Sequence, residues 1–183
     1  MMMNWEIKSS AYIIRDKWIS LRADSCVMPN GNIVEPFYVL EYPDLVSVVA
    51  ITPANEIILV KQYRHGINKV VLELPCGGIE STDKTPLDAA KRELLEETGY
   101  SGDNFVPLCK LCPNPSNQSN YIYSFLALNV KLTNNQHLDY SEDIESIAIP
   151  IQEVKRMINN NEILQALHVP ALFYAFNYLD GIK

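Results

Sequence analysis

Three glutamates fall within nine consecutive residues of the sequence, Arg92-Glu93-Leu94-Leu95-Glu96-Glu97-Thr98-Gly99-Tyr100. Glu93 and Glu97 are four residues apart and Glu96 is three from Glu93, so a helix presents all three carboxylates within one sector. Like charges at this spacing destabilise a helix by about 0.2 to 0.5 kcal/mol per pair, whereas hard divalent cations bind clusters of oxygen ligands. The cluster therefore predicts a metal site, and the alternative is a solvated acidic face of the helix.

The helix that carries this stretch is predicted to run from Pro86 to Thr98. Thr85 can cap its start, and Asp88 completes a Thr-x-x-Asp capping box. Gly99 can end the helix in the left-handed conformation. Just upstream, the segment Leu72-Glu73-Leu74-Pro75-Cys76-Gly77-Gly78-Ile79-Glu80 is typical of a strand that ends in a glycine-rich loop, where the backbone can approach a ligand closely.

Elements elsewhere in the chain follow from alternation, β-branched density and turn residues. They are, in chain order, an antiparallel β-meander between Tyr12 and Glu41, a hairpin of residues 45–51 and 56–63, a strand near residues 121–130, a polar and mobile stretch from Thr133 to Asp143, and two final helices near residues 151–159 and 170–179. This succession predicts an α/β protein.

The composition of the chain indicates which classes of protein it can belong to. A chain of 183 residues with 48% hydrophobic residues can bury the core of one catalytic domain. The net charge of -7, without a run of lysine or arginine, argues against nucleic acid binding. The segment from Met1 to Glu6 lacks the features of a signal peptide, and no apolar run approaches the roughly 20 residues of a membrane span. We therefore expect a cytoplasmic protein without membrane contact, whose cysteines are reduced.

The acidic stretch resembles the signature of the Nudix hydrolases: Gly, five residues, Glu, seven residues, then Arg-Glu-apolar-x-Glu-Glu-x-Gly-apolar. The second half matches completely, from Arg92 to Tyr100. In the first half, Gly78 falls at the signature glycine but Lys84 falls at the glutamate. We favour a one-residue insertion in the loop that brings Asp83 into the role of this glutamate. The alternative is that the role is vacant.

The chain also resembles one branch of this family, the ADP-ribose and nucleotide-sugar pyrophosphatases. The resemblance rests on residues 60–65 (Val-Lys-Gln-Tyr-Arg-His), on residues 72–75 (Leu-Glu-Leu-Pro), and on Pro115, sixteen residues after Gly99. Where the branch usually has a glycine and an acidic residue after that proline, this chain has Ser116-Asn117-Gln118-Ser119-Asn120. The resemblance implies cleavage of ADP-ribose or a related nucleoside diphosphate sugar. The alternatives are another nucleotide sugar or a dinucleotide as substrate, or a non-catalytic nucleotide-binding domain.

The resemblance also implies roles for individual residues, with Mg²⁺ or Mn²⁺ as the cofactor. The expected metal ligands are Glu93, Glu96, Glu97 and the carbonyl of Cys76. Arg92 is expected to orient these carboxylates. For the general base, the acidic segment after the helix offers Glu142 as first choice and Glu145 as second. The expected substrate contacts are Arg64 at the phosphates, Pro115, and an aromatic side chain that stacks on the base, for which Trp18 is our choice and Tyr38 and Tyr63 are the alternatives.

The architecture implied by the resemblance is a Nudix α/β/α sandwich with a mixed sheet, preceded by a small N-terminal antiparallel β-sheet. Residues 1–43 would form the N-terminal β-meander, which contributes to dimerisation and to the substrate pocket. Residues 44–183 would form the Nudix hydrolase domain. Relatives in this branch commonly dimerise through the N-terminal region, so we expect a homodimer.

Overall fold

The chain divides into two units in the computed structural model, which describes residues 3–182. One unit contains the residues up to Pro43 together with Cys112–Tyr121, and the other contains Asp44–Leu111 and the residues from Ile122 onward. Met1, Met2 and Lys183, at the ends of the two predicted domains, lie outside the described residues. No helix within residues 3–182 combines the length and the apolar character that crossing a membrane requires.

The first unit is an antiparallel sheet with strand order β1-β2-β3, and it confirms the predicted N-terminal sheet. Its strands are β1 (Glu6–Arg15), β2 (Ser20–Val27) and β3 (Ile33–Glu41). The first strand begins six residues before the predicted Tyr12. The segment Cys112–Tyr121 joins this unit because the N–H of Leu40 donates to the carbonyl of Asn117 at 2.8 Å and the N–H of Ser119 donates to the carbonyl of Leu40 at 3.3 Å.

The second unit is built on a seven-stranded mixed sheet with the order β12-β5-β4-β10-β9, in which β6 also pairs with β5 and β7 with β4. Only β10 and β4 run parallel; the other pairs in this sheet are antiparallel. A separate pair is formed by β8 and β11. The strands are β4 (Leu45–Ile51), β5 (Glu56–Arg64), β6 (Lys69–Glu73), β7 (Cys76–Gly78), β8 (Tyr100–Ser101), β9 (Asn104–Leu111), β10 (Ile122–Leu128), β11 (Lys131–Leu132) and β12 (Ile144–Pro150).

Helices cover both faces of the large sheet. Because successive side chains of a strand point to opposite faces, Val48 and Ala50 of β4 pack in one core with α1 (Pro86–Thr98), while Val49 and Ile51 pack in the other core with α2 (Ile151–Asn159) and α3 (His168–Leu179). All four of these side chains are buried. The predicted α/β/α sandwich with a mixed sheet is thus confirmed.

The predicted hairpin of β4 and β5 is confirmed but short. The two strands pair only at Ala50 with Ile58 and at Ile51 with Ile57. Toward the other end they separate, and β4 pairs instead with β7. The glycine-rich loop is thereby incorporated into the sheet, and α1 packs against both β4 and β7.

The three helices agree with the predictions except at one end. The hydroxyl of Thr85 accepts from the N–H of Asp88 at 3.2 Å, and Gly99 ends α1 with φ of 74°. Helix α3 begins at His168, two residues before the predicted Pro170. A proline within the first turn is tolerated, because the N–H groups there have no partner inside the helix.

Candidate active site

The glycine-rich loop and α1 are joined at the acidic face of the helix. The N–H of Cys76 donates to the carboxylate of Glu97 at 2.9 Å. One residue earlier, the carbonyl of Pro75 accepts from the N–H of Val48 at 3.0 Å, which fixes the loop to β4. The carboxylate of Glu97 is therefore held by a backbone that is itself part of the sheet.

Gly77 leaves the space that the carboxylate of Glu93 occupies. A Cβ atom at this position would lie 2.1 Å from Cδ of Glu93, far inside the normal contact distance. Any side chain at residue 77 would displace that carboxylate. The glycine is thus required by close approach of the loop to the helix.

Arg92 forms the centre of a hydrogen-bonded network on the same face. Its Nη1 donates to Glu93 at 2.8 Å and to Glu96 at 2.9 Å. Its Nη2 donates to the carbonyl of Gly78 at 2.9 Å. Asp83 accepts from Nε at 3.2 Å and from Nη2 at 2.9 Å, a bidentate geometry. The guanidinium therefore links three carboxylates to the loop, with Asp83 rather than Lys84 contacting it.

Burial sets the electrostatics of the two inner glutamates. Glu93 is 8% exposed and Glu97 is 3% exposed. The pKa of Glu93 is raised to about 7 and that of Glu97 to about 8; desolvation is the largest cause, and the neighbouring carboxylate of Glu142 contributes to both increases. Burial also raises the pKa of the Cys76 thiol well above its ordinary range, so this sulfur stays protonated at neutral pH.

The donor set of this face fits a hard divalent cation. Glu93, Glu96 and Glu97 offer carboxylate oxygens, the ligands that Mg²⁺ and Mn²⁺ prefer. A positive charge would also offset the cost of burying Glu93 and Glu97. Within residues 3–182, no three His, Cys, Asp or Glu side chains already converge at metal-ligand distances. Arg92 accounts for part of this, since it holds Glu93 and Glu96 against its guanidinium.

A cavity of about 440 Å³ opens beside Glu97. It brings together four of the predicted site residues, which are distant in sequence: Arg64, Cys76, Glu97 and Glu142. The carboxylate of Glu142 accepts from the N–H of Asp139 at 3.0 Å. The remaining residues that line the cavity are Gln62, Tyr63, Ser141 and Asp143.

Arg64 is fixed at the cavity by a buried partner that the sequence did not indicate. Its Nε and Nη2 donate to the two carboxylate oxygens of Glu73 at 3.0 and 2.6 Å, and Glu73 is only 2% exposed. This contact is the main cause of the raised pKa of Arg64. Gln62, also missed, lies two residues before Arg64 and so on the same side of β5, a relation that strand periodicity could have predicted.

The remaining three predicted site residues are Glu145, Trp18 and Pro115. Glu145 lies in β12 with a side chain that is 69% exposed and forms an ion pair of 3.3 Å with Lys61. Trp18 lies in the turn before β2 of the N-terminal unit and is 72% exposed, with Nζ of Lys17 at 4.6 Å from its ring centroid. Pro115 is an exposed residue of Cys112–Tyr121 in the same unit.

The chain is similar to two known protein families and to individual known proteins. The chain matches the model of the NUDIX domain over residues 41–167 and that of the nucleoside diphosphate sugar hydrolase N-terminal domain over residues 5–40. An ADP-ribose pyrophosphatase of Bacillus subtilis (strain 168) is 28% identical over 92% of this chain and 88% of its own. A methanol dehydrogenase activator of Bacillus methanolicus is 30% identical over 88% of this chain and 87% of its own.

Among solved structures, the crystal structure of an ADP compounds hydrolase superposes with a TM-score of 0.87, covering 99% of this chain and 97% of that one. At 22% sequence identity, this likeness establishes the fold. The NUDIX match, over residues 41–167, includes the glycine-rich loop, α1 and the residues that line the cavity. The predicted resemblance is confirmed, and the chain belongs to the family of Nudix hydrolases.

Proposed function

We propose that this enzyme hydrolyses the diphosphate of ADP-ribose or a related nucleoside diphosphate sugar, releasing a nucleoside monophosphate and a sugar phosphate. The observation that carries the proposal is the cavity in which Glu97, on the acidic face of α1, meets Arg64 and Glu142. An anion-binding arginine and a carboxylate beside a metal-ligand cluster suit the hydrolysis of a phosphoanhydride. The similarity to an ADP-ribose pyrophosphatase along most of the chain supports this substrate.

Glu93, Glu96 and Glu97 would hold Mg²⁺ or Mn²⁺, with the carbonyl of Cys76 as a further ligand. Such an ion supplies charge neutralisation at the attacked phosphoryl group and a bound water of lowered pKa. Arg92 acts as a positioning residue, because its nitrogens are engaged by Asp83, the loop and the glutamates. Its guanidinium sets the orientation of the ligand carboxylates.

Arg64 would bind the diphosphate through charge-assisted hydrogen bonds. The bidentate contact with Glu73 fixes the plane of the guanidinium, so little side-chain freedom is lost when substrate binds. Trp18 and Pro115 are the further substrate contacts that the family resemblance implies. The indole of Trp18, 72% exposed, is accessible for stacking.

Glu142 is our candidate for the general base that accepts a proton from the attacking water. It lines the cavity beside Glu97, and the N–H of Asp139 holds its carboxylate in place. Glu145 is the second candidate; its ion pair with Lys61 at an exposed strand makes it the weaker one. A base must reach the water that it activates, so its place in the lining of the cavity favours Glu142.

We also propose a cytoplasmic homodimer that binds neither nucleic acid nor membranes. All ten residues of β1 are exposed, among them the large apolar side chains Ile7 and Ile13. An edge strand of this kind offers hydrogen bonds and apolar surface to a second copy of the chain. A monomer in light scattering at working concentrations would contradict the dimer.

The experiment that tests the function is hydrolysis of ADP-ribose in the presence of Mg²⁺, beside a panel of nucleotide sugars and dinucleotides. We expect AMP and ribose 5-phosphate as products. Activity only on another member of the panel would keep the reaction and replace the substrate. Binding without turnover across the whole panel would overturn the proposal in favour of a nucleotide-binding domain.

A further inference from the structure

The loop of residues 133–143, which carries Glu142, is attached to the end of α1. The carbonyl of Gly99 accepts from the N–H groups of Thr133 and Asn134 at 3.0 and 3.2 Å. The carbonyl of Glu96 accepts from the N–H of His137 at 2.9 Å. The last carbonyls of a helix have no partner within the helix, and here a loop supplies part of what is missing. A segment that its polarity predicted to be mobile is therefore anchored on the helix that bears the metal ligands.

Gln136 is the side chain that closes this attachment. Its Nε2 donates to the carbonyl of Glu97, in α1, and also to the carbonyl of Ile144, the first residue of β12, at 3.3 Å. The amide group of Gln136 thus joins the backbone of Glu97, a predicted metal ligand, to the backbone of Ile144, which follows the loop. Within residues 131–143, all of which the structure describes, only Gln136 and Leu138 are half-buried and the others are exposed.

We propose that Gln136 is a positioning residue, which holds Glu142 at a fixed distance from Glu97 across the cavity. The inference rests on the proposed function, in which these two carboxylates act on one substrate. Glu142 lies between the two anchors of the loop, His137 and Ile144, and its own carboxylate accepts from the N–H of Asp139 in the same loop. Without the Gln136 amide, the loop keeps its backbone contacts with α1 at one end and the pairing of Ile144 with Gln62 at the other, but it loses the contact that joins these two ends.

The decisive variant is Gln136→Glu, which keeps the shape of the side chain and removes the N–H donor. The matched control is Asn135→Asp, the same change from amide to carboxylate at the exposed neighbouring residue. Both variants add one negative charge to the same loop. A difference between them therefore reports the place of residue 136 between the carbonyls of Glu97 and Ile144, and not the mere addition of a charge to the loop.

The first readout is hydrogen–deuterium exchange of the metal-free protein. We expect Gln136→Glu to accelerate exchange at the N–H groups of Thr133, Asn134 and His137, and Asn135→Asp to leave these rates as in the wild type. Thermal unfolding of both variants checks that the fold is retained. Equal exchange rates in the two variants would overturn the proposal. This readout needs neither substrate nor metal, so it decides on the anchor even if the wild type turns over no substrate and the proposed function fails.

The second readout is steady-state hydrolysis of ADP-ribose. We expect Gln136→Glu to lower kcat by about 10- to 100-fold with little change in KM, and Asn135→Asp to stay within about twofold of the wild type. In a Glu142→Gln background, Gln136→Glu should lower kcat by less than about threefold, because the group that it positions is already disabled. Losses that multiply in the double variant, or an unchanged kcat in the single one, would contradict a role that acts through Glu142.

Discussion

Because Gly77 has no side chain, the glycine-rich loop can pack against the acidic face of α1. The carboxylate of Glu93 fills the place where a Cβ atom of residue 77 would lie. Since the end of a glutamate side chain is flexible, a methyl group there would be accommodated by moving the carboxylate. The consequence of such a change falls on the site more than on the stability of the protein.

We predict that Gly77→Ala lowers kcat by about 10- to 100-fold while the melting temperature changes little. The matched control is Gly66→Ala, because a Cβ atom at Gly66 would meet nothing within 4 Å. Steady-state hydrolysis and thermal unfolding of both variants provide the measurement. Wild-type turnover by Gly77→Ala would show that the position of Glu93 is not needed for the reaction.

The sequence alone leaves open whether Asp83 or Lys84 corresponds to the first glutamate of the Nudix signature. The hydrogen bonds between Asp83 and Arg92 favour Asp83. The pKa of the Asp83 carboxyl is lowered, chiefly by its hydrogen bond with Arg92. We predict that Asp83→Ala lowers kcat by about 10-fold or more, because Arg92 loses the partner that orients it. Lys84→Ala, at the exposed neighbour, is the control and should behave as the wild type. Similar kinetics for the two variants would leave the role vacant, as in the alternative interpretation.

Among the helices and strands, the elements with clear local signals, such as capping residues, could be predicted from the sequence. Thr85 and Gly99 indicated both ends of α1, and the density of β-branched residues identified β4 and β5 as strands. Pairing partners were harder, because the β-branched residues of β4 and β5 are compatible with any neighbouring strand. The early separation of β4 from β5, which admits the glycine-rich loop, therefore had no local signal.

His168, at the start of α3, connects that helix to the strand before the glycine-rich loop. Its Nδ1 accepts from the N–H of Leu74 at 3.1 Å, which requires the neutral ring. Burial lowers the pKa of His168 from its ordinary value of 6.5 to about 4; Glu73 opposes this change and Arg64 favours it. The folded state thus resists protonation of a ring that takes up a proton readily in the unfolded chain.

We predict that the free energy of unfolding falls as the pH is lowered from 6.5 to about 4, by on the order of 3 kcal/mol from this histidine alone. The stabilisation is complete above 6.5, because the pKa in the folded state lies below that in the unfolded state. His168→Asn keeps an acceptor for the N–H of Leu74 without a titrating ring, so its stability should depend less on pH across this window. Urea unfolding at several pH values measures both curves, and parallel curves would contradict the assignment.

In the molecule as a whole, the acidic face of α1 could be predicted from the sequence because its three glutamates lie in one short segment. The cavity draws instead on four distant segments, around Arg64, Cys76, Glu97 and Glu142, and only the fold brings these together. Glu73 belongs to the family motif of residues 72–75, yet its bidentate contact with Arg64 depends on the pairing of β5 with β6. The membership of Cys112–Tyr121 in the N-terminal unit is likewise a tertiary feature, made by hydrogen bonds to β3.

Whether the acidic face of α1 is the catalytic metal site is tested by comparing Mg²⁺ binding and ADP-ribose hydrolysis in the wild type, Glu97→Gln and Glu153→Gln. Glu153 is the matched control, an exposed glutamate paired with Arg156 on α2. We predict that Glu97→Gln weakens Mg²⁺ binding in calorimetry and lowers kcat by at least about 100-fold, whereas Glu153→Gln changes neither. Hydrolysis that persists in Glu97→Gln, or that proceeds at the same rate after removal of divalent cations, would contradict the assignment of the acidic face of α1 as the catalytic metal site.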